Sequence, residues 1–304
     1  MLAYRALPTR LKRGRRLSLT AAAKVNLALE VLGQRADGYH ELATVMQTVD
    51  LADRLVLEDA DELALTTTSA QVPADGGNLA LRAAAALREA AKVDRGVRIV
   101  LDKRIPVAAG LGGGSSDAAA VLLGLNRLWN LRWSFARLGE VAETLGMDVP
   151  FFLKGGVALG TGRGERLTAM AGMPLALVLV NPGTPLSTAA VYGRMTPPMY
   201  SSGARARTMA DALRTRKPAR VAASLYNGLE AAAAGMSPEL MRMRAALIAA
   251  GALGALMSGS GPTVFGIARS FEQARQIRAR LSRASWDCWA VRSVSGPAVR
   301  IRAA

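Results

Sequence analysis

The chain has 304 residues, a length that suits one large domain or two domains of medium size. Its 51% apolar content excludes an extended disordered protein. Its single cysteine, Cys288, excludes disulfide bonds within the chain and cysteine-rich zinc sites, and its single histidine, His40, excludes most catalytic triads. The formal net charge of +16 favours an anionic partner, whether nucleic acid, an anionic membrane or a phosphorylated small molecule.

Residues 1–16 form a basic N-terminal extension without acidic residues. We interpret it as a solvated segment, with nucleic-acid or membrane contact as the alternatives, and it lacks the serine-rich character of a transit peptide. The basic residues are Arg5, Arg10, Lys12, Arg13, Arg15 and Arg16. No uncharged apolar run reaches the length of about 18 residues that a membrane span requires, so we predict no membrane span. The single cysteine fits a reducing compartment, and we expect a cytoplasmic protein.

The first half of the chain alternates short apolar segments with glycine-rich loops. We predict a turn at 33–38, loops at 73–77 and 106–116, and helices at 78–92 and 117–129. The predicted strands cover 17–21, 25–32 and 97–101, with further strands over 55–65 that an acidic segment at 58–62 interrupts.

The second half begins near residue 166 and again mixes both kinds of element. We predict strands at 175–180 and 288–293, helices at 238–250 and 271–283, an arginine-rich connecting or covering segment at 201–217 and a small-residue loop at 251–261. This order predicts an α+β fold with two packed domains, residues 17–165 and 166–304.

The strongest functional signal is a glycine-rich segment directly before an alanine-rich helix. It runs Pro106-Val107-Ala108-Ala109-Gly110-Leu111-Gly112-Gly113-Gly114-Ser115-Ser116. Its four glycines let the backbone approach an anion, and the two serine hydroxyls can cap the helix or bind a phosphate. It is neither a Walker A motif nor a dinucleotide fingerprint. We predict a polyphosphate site, with a plain tight turn as the alternative.

Two charged residues occur in apolar surroundings. Lys24 interrupts an apolar strand, where an unpaired ammonium is costly, so we expect it to face an anion or else to extend to the surface. Asn26 would lie on the same face of that strand. Asp148 precedes an apolar segment and by itself could be a helix cap or a turn residue.

Together these segments resemble the GHMP kinases over about residues 17 to 300. The glycine-rich segment is similar to their phosphate loop, and three further matches follow the family order: Ala23-Lys24-Val25-Asn26-Leu27, Gly33-Gln34-Arg35-Ala36-Asp37-Gly38-Tyr39-His40 and Asp148-Val149-Pro150-Phe151-Phe152. The segment ending in Tyr39-His40 is typical of members whose substrate carries a cytidine diphosphate group. The resemblance implies a two-domain fold with the active site in the interdomain cleft. It also implies ATP-dependent phosphorylation of a diphosphocytidyl-methylerythritol at its 2-hydroxyl, in the non-mevalonate route to isoprenoid precursors.

The same resemblance implies roles for individual residues. Asp148 would take the proton of the substrate hydroxyl, and Lys24 would keep Asp148 ionised and screen the developing charge. The implied substrate-binding residues are Asn26, Tyr39, His40, Tyr192 (where the family more often has phenylalanine), Gly259 and Ser260 (in place of the more usual threonine). His40 could otherwise be an idle surface residue.

ATP binding is implied for the glycine-rich segment and for three residues near the adenine, Asn78, Leu79 and Lys103. Asn78 also fits a plain helix N-cap. The segment Asn227-Gly228 departs from the family's usual Asn-Asp pair, and we predict no role for it.

No cluster of carboxylates predicts a metal site in the protein. We therefore expect Mg²⁺ to be bound mainly through ATP, with a loop serine as a candidate ligand. The expected partner is the small-molecule substrate, without nucleic acid or membrane, and the protein would be a monomer or homodimer. Two rival functions stay open: another GHMP kinase, acting on homoserine, mevalonate or a sugar, and a basic nucleic-acid-binding protein that has lost catalysis, whose affinity would depend steeply on salt.

Overall fold

The computed structural model describes residues 15–281 and 285–303. Most of the predicted basic extension therefore lies outside the described residues, as do the last two residues of the helix predicted at 271–283. The strands are β1 (Arg16–Gln34), β2 (His40–Ala60), β3 (Leu63–Thr67), β4 (Gly96–Asp102), β5 (Val157–Gly162), β6 (Arg166–Ala169), β7 (Ala176–Asn181), β8 (Tyr226–Asn227), β9 (Gly254–Met257), β10 (Val264–Ala268), β11 (Asp287–Arg292) and β12 (Val299–Ala303). The helices are α1 (Leu79–Ala91), α2 (Gly113–Leu128), α3 (Phe135–Leu145), α4 (Val149–Lys154), α5 (Thr188–Tyr192), α6 (Ala204–Arg214), α7 (Pro218–Ala223), α8 (Glu230–Ala234), α9 (Glu239–Ala249) and α10 (Phe271–Leu281).

An eight-stranded sheet organises the first half of the chain. Its main path runs β12-β1-β2-β4-β3. In addition, β5 pairs with β2, β6 pairs with β5 and β8 pairs with β1. The strands predicted separately at 17–21 and 25–32 are one continuous strand, β1, which pairs with β2 along its whole length. The register shifts between Ala22 and Ala23, so a bulge rather than a turn separates the two predicted segments.

Four helices, α1 to α4, pack together beside this sheet. The helix predicted at 117–129 is confirmed as α2, which packs against β1, β2, α1 and α4. Gly124 lets α2 approach the sheet closely, because a Cβ there would lie 2.4 Å from Leu57 Cδ1. Large side chains such as Leu57 and Phe152 are fully buried here, and each contributes about 1.5–3 kcal/mol of hydrophobic stabilisation.

A second, four-stranded antiparallel sheet has the order β11-β7-β10-β9. Helices α9 and α10 pack against it; α6 contacts β1 and β2 of the larger sheet, and α7 contacts β9 and β10 of the smaller one. One apolar cluster joins Leu27 of β1, Met209 of α6, Val221 of α7 and Leu179 of β7. The two sheets are thereby held together by a shared core.

Several elements differ from the sequence-based expectations. Helix α2 begins at Gly113 rather than at 117, because Gly112 takes a left-handed conformation (φ 69°) that turns the chain into the helix. The arginine-rich segment at 201–217 contains α6, whose buried Met209 and Leu213 give it an apolar face. The small-residue loop predicted at 251–261 contains the buried strand β9.

Strand pairing does not follow the predicted domain boundary. The boundary between residues 165 and 166 falls at the start of β6, which pairs with β5 in the larger sheet. Strands β8 and β12, from late in the chain, also pair with β1. Within the two described ranges, no helix combines the length and apolarity needed to cross a membrane.

Candidate active site

A cleft of about 1110 Å³ collects nearly all the residues singled out from the sequence. It is lined by Lys24, Asn26, Tyr39, His40, Asn78, Leu79, Lys103, Pro106, Val107, Ala108, Ala109, Gly110, Gly112, Gly113, Gly114, Ser115, Asp148, Tyr192, Gly259 and Ser260. Leu111 and Ser116 do not line it, because both are buried beneath the glycine loop. This volume exceeds the few hundred Å³ of a minimal ligand pocket and suits two extended ligands side by side.

The glycine-rich loop connects β4 to α2 and lies against the end of β9. Gly110 is at φ 74°, and a Cβ there would lie 2.0 Å from the Ser258 carbonyl oxygen, so only glycine fits. Nothing lies within 4 Å of the corresponding position on Gly114. The backbone at Gly114 therefore faces open space at the start of a 16-residue helix, where unpaired N–H groups favour an anion.

The two serines at this helix start have different roles. The Ser115 hydroxyl has no hydrogen-bond partner within the described ranges and lines the cleft, as the prediction of a phosphate-binding group requires. Ser116 is fully buried, and its Oγ donates to the Ala22 carbonyl at 2.7 Å. The prediction that Ser116 could bind a phosphate is therefore wrong, because its hydroxyl ties α2 to β1.

Lys24 and Asp148 lie together at the edge of the loop. Lys24 is buried in β1, and its Nζ lies 2.6 Å from Asn26 Oδ1 and 3.5 Å from Asp148 Oδ2. Asn26 Nδ2 in turn donates to Thr44 Oγ1 at 2.8 Å. The predicted shared face of Lys24 and Asn26 is confirmed, and Thr44 holds Asn26 in the orientation that accepts from the ammonium.

Aromatic rings form the other end of the cleft. The ring centroids of His40 and Tyr192 lie 5.2 Å apart, and the ring centroid of Tyr200 lies 6.2 Å from that of His40. Tyr39 is 53% exposed, with the Arg163 guanidinium 5.0 Å from its ring centroid. An exposed ring beside a cationic group and a second aromatic pair is suited to stacking with a planar ligand.

Burial sets the protonation of two of these groups. It lowers the pKa of His40, so the imidazole is neutral at pH 7 and offers one donor and one acceptor. Burial, and secondarily the negative charge of Asp148, raise the pKa of the Tyr192 hydroxyl above its ordinary value. Tyr192 therefore stays protonated and can only donate or accept as a neutral hydroxyl.

Lys103 lies beneath the start of α2 rather than extending freely into the cleft. Its Nζ contacts carboxylate oxygens of Asp53 and Asp117, and a Cβ on Gly113 would lie 2.9 Å from it. Burial disfavours its charged form, but the carboxylates of Asp117 and Asp53 outweigh this and raise the pKa of Lys103.

Asp117 is the less stabilised of the two carboxylates. Asp53 Oδ1 also accepts from the backbone N–H groups of Arg104 and Ile105, whereas Asp117 Oδ1 is buried without a partner among the described residues. Burial, opposed by the Lys103 ammonium and assisted by the Asp53 charge, raises the pKa of Asp117 to about 8. The sequence pattern did not reveal this cluster, because Asp53 is 50 residues from Lys103.

Asn78 is the N-cap of α1, as the capping alternative predicts. Its Oδ1 accepts from the Ala80 N–H at 2.9 Å, and its Nδ2 donates to the Pro73 carbonyl at 2.8 Å. Asn78 and Leu79 still line the cleft, so capping does not remove them from the ligand-accessible surface.

The loop between β9 and β10 closes the cleft from the second sheet. Gly259 is at φ 57°, and a Cβ there would lie 3.3 Å from both Lys24 Nζ and Asn26 Oδ1. Ser260 Oγ lies 2.8 Å from Thr188 Oγ1 at the start of α5, the helix that carries Tyr192. This loop therefore contacts both ends of the cleft.

Sequence reasoning missed one residue that holds this loop. The side chain of Asn227 donates to the carbonyls of Met257 and Gly259, each at 2.8 Å. The expectation that the Asn227-Gly228 segment has no role is therefore wrong for Asn227. Its signal was the asparagine itself, whose buried amide needs partners.

The described residues contain no cluster of three or more histidine, cysteine or acidic side chains that could hold a metal ion.

Two family models match the chain. The model of the GHMP kinases N terminal domain matches residues 78–156, and that of the GHMP kinases C terminal matches residues 209–288. The first match contains the glycine loop, Lys103 and Asp148.

Curated proteins match over most of their length. A 4-diphosphocytidyl-2-C-methyl-D-erythritol kinase of Pelotomaculum thermopropionicum is 49% identical over 88% of this chain and 94% of that protein. One of Gloeobacter violaceus is 45% identical over 87% of this chain and 89% of that protein.

Solved structures agree in fold. A crystal structure of 4-(cytidine 5'-diphospho)-2C-methyl-D-erythritol kinase has a TM-score of 0.79 and 42% identity, covering 91% of this chain and 98% of that one. A homoserine kinase from Cytophaga hutchinsonii has a TM-score of 0.75 at 19% identity, covering 97% of this chain and 100% of that one, and shows the fold alone. The chain therefore belongs to the GHMP kinases and, within them, to the 4-diphosphocytidyl-2-C-methyl-D-erythritol kinase family.

Proposed function

We propose that this protein transfers the γ-phosphoryl group of ATP to the 2-hydroxyl of 4-diphosphocytidyl-2-C-methyl-D-erythritol, in non-mevalonate isoprenoid precursor biosynthesis. One observation carries the proposal: a single cleft has an anion-binding loop beside the Lys24–Asp148 pair at one end and a His40–Tyr192 aromatic pair at the other. The curated relatives named for this activity support it.

Asp148 is the proposed general base. As the substrate oxygen attacks the γ-phosphorus, the hydroxyl proton passes to an Asp148 carboxylate oxygen, the bond to the β-phosphate oxygen breaks, and ADP leaves with that electron pair. Lys24, held by Asn26, stays beside Asp148 and the transferred group. Its fixed positive charge stabilises the transition state without moving, which is how electrostatic preorganisation lowers a barrier.

ATP would bind with its phosphates against the glycine loop and its adenine near Asn78, Leu79 and Lys103. Free backbone N–H groups at the start of α2 and the Ser115 hydroxyl are the donors for the phosphates. Mg²⁺, bound mainly by the ATP phosphates, would neutralise their charge, with Ser115 as the candidate protein ligand.

The cytidine group would bind at the aromatic end. Tyr39 and Tyr192 offer rings to the base, and neutral His40 can pair one donor and one acceptor with the hydrogen-bonding edge of cytosine. A homoserine or mevalonate substrate would leave this end of the cleft unused. We also propose that the enzyme works in the cytoplasm, as a monomer or homodimer.

The decisive experiment measures ADP release with ATP, Mg²⁺ and each of two acceptors: the full substrate and the corresponding methylerythritol phosphate, which lacks the cytidine monophosphate group. We expect turnover with the cytidine compound and a loss of at least about 100-fold in kcat/KM without it, since several stacking and hydrogen-bonding contacts are removed. Equal turnover of both acceptors, or turnover of homoserine or mevalonate alone, would contradict the proposal.

A further inference from the structure

The loop at residues 258–261 touches both the phosphate loop and β1. Ser258 Oγ donates to the Gly110 carbonyl at 2.9 Å and accepts from the Asn26 N–H at 3.3 Å. A Cβ on Gly259 would lie 3.1 Å from the Gly110 carbonyl oxygen and 3.3 Å from Lys24 Nζ, so the loop packs tightly between them. The position of this loop is therefore coupled to the position of the Lys24 ammonium.

Asn227 links this loop to the strand that carries Lys24. It belongs to β8, which pairs in parallel with β1 at Leu29, and it is 7% exposed. Its Nδ2 donates to the Met257 and Gly259 carbonyls, and its Oδ1 accepts from the Leu229 N–H at 2.9 Å. Both amide hydrogens and the amide oxygen are thus used, which fixes the side-chain orientation.

The hydrogen bond to the Gly259 carbonyl orients the peptide bond between Gly259 and Ser260. Because a trans peptide is planar, its N–H points opposite to its C=O. The carbonyl points at buried Asn227, so the Ser260 N–H points away from Asn227, and Ser260 lines the cleft. Throughout the part of the chain that the structure describes, this N–H has no hydrogen-bond partner.

We infer that Asn227 is a positioning residue that holds the Ser260 N–H towards the transferred phosphoryl group. The left-handed conformation of Gly259 (φ 57°) beside this N–H is typical of backbone sites that bind anions. Lys24 Nζ is close to Gly259, so the N–H and the ammonium can contact the same phosphate oxygens. The inference rests on the proposed function for the identity of the acceptor. Its geometry requires only that a γ-phosphate binds in the cleft.

The test replaces Asn227 and compares kcat with KM. Asn227→Asp keeps the oxygen that accepts from the Leu229 N–H but places its other carboxylate oxygen against the Met257 and Gly259 carbonyls. Asn227→Ala removes all three hydrogen bonds. We expect kcat to fall roughly 10- to 100-fold in both variants, because one hydrogen-bond donor to the transition state is no longer held in place. The KM values for ATP and for the acceptor should each change less than about threefold.

Glu230→Gln is the matched control. Glu230 Oε1 accepts from the Met257 N–H at 3.0 Å and its other oxygen pairs with Arg244, so the glutamine keeps the loop contact and loses only the ion pair. We expect a lower melting temperature with kcat within twofold of wild type. An Asn227 variant with wild-type kcat, or a Glu230→Gln variant with an equal loss of kcat, would overturn the positioning role.

A measurement on the unmodified protein keeps the inference testable if the Asn227 variants do not fold. In protein labelled with ¹⁵N-serine, the Ser260 amide signal, assigned by its absence in Ser260→Thr, should shift with Mg²⁺ and a non-hydrolysable ATP analogue but not with ADP. An unchanged Ser260 signal with the analogue would refute the role. A shifted signal in a protein inactive on the cytidine substrate would instead refute only the proposed function.

Discussion

Replacing Asp148 by asparagine removes the proposed base while keeping its shape. The carboxylate is 34% exposed, and its ion pair is with Lys24 Nζ at 3.5 Å. Lys24 keeps its 2.6 Å hydrogen bond to Asn26 in the variant, and the asparagine keeps a side-chain oxygen that can face the ammonium, so the fold should be retained.

The expected size of the loss in kcat of Asp148→Asn depends on which catalytic groups the variant keeps. A general base contributes roughly 10²–10⁴-fold to a rate. Positioning and electrostatics supply most of phosphoryl-transfer catalysis, and the glycine loop and Lys24 are unchanged, so we expect the lower part of that range. A fall in kcat of about 10²–10³-fold corresponds to about 3–4 kcal/mol of transition-state stabilisation.

The assay is steady-state ADP release, with ATP affinity measured separately by calorimetry. Asp59→Asn is the matched control, since Asp59 is 31% exposed, also pairs with one cation, Arg95, and lies outside the cleft. We expect Asp148→Asn to bind ATP at least as tightly as wild type, because one negative charge near the phosphates is gone. Turnover within tenfold of wild type in Asp148→Asn would refute the assignment of the base.

Three further changes test other parts of the cleft. Tyr39→Ala should raise KM for the cytidine substrate about tenfold or more and leave KM for ATP within twofold; equal effects on both would contradict a stacking role. Gly259→Ala should lower kcat at least about tenfold in the same assay, because alanine is strained at φ 57° and its Cβ would crowd Lys24; unchanged kcat would show that the loop can shift. Asp117 binds its proton more tightly in the folded state, so its contribution to stability is complete below pH about 4 and is lost as the pH rises towards its folded pKa of about 8. The melting temperature measured by calorimetry should therefore fall between pH 5 and 8 by more in wild type than in Asp117→Asn. An equal fall in the two proteins would show that Asp117 is not the group that loses the proton in this range.

The parts of this site that the sequence predicts are those encoded in short segments. The glycine loop, the Lys24-Val25-Asn26 strand and the helix start at Asn78 each depend on backbone geometry over a few residues, and the structure confirms where each lies. The proposed role of Asp148 depended on the family resemblance, because an isolated aspartate before an apolar segment is equally suited to a helix cap or a turn.

The parts that could not be predicted depend on contacts between distant segments. Nothing near Ser116 in the sequence indicates that its hydroxyl bonds to Ala22, 94 residues away. The contact of Lys103 with Asp53 and that of Asn227 with Gly259 arise only when strands from separate regions pair. Likewise, β6 and β12 are too short and too exposed for periodicity to assign them to the larger sheet.

The pairing of β12 with β1 has a consequence for how the enzyme becomes active. Strand β1 holds Lys24, yet residues 299–303 cover its edge opposite β2 around residues 17–21, and the Ala22 N–H donates to the Ala298 carbonyl. During synthesis that edge stays open until residues 299–303 have left the ribosome. Folding of the phosphate-binding half is thus completed by residues made after the second sheet, so the site is assembled only once both walls of its cleft exist.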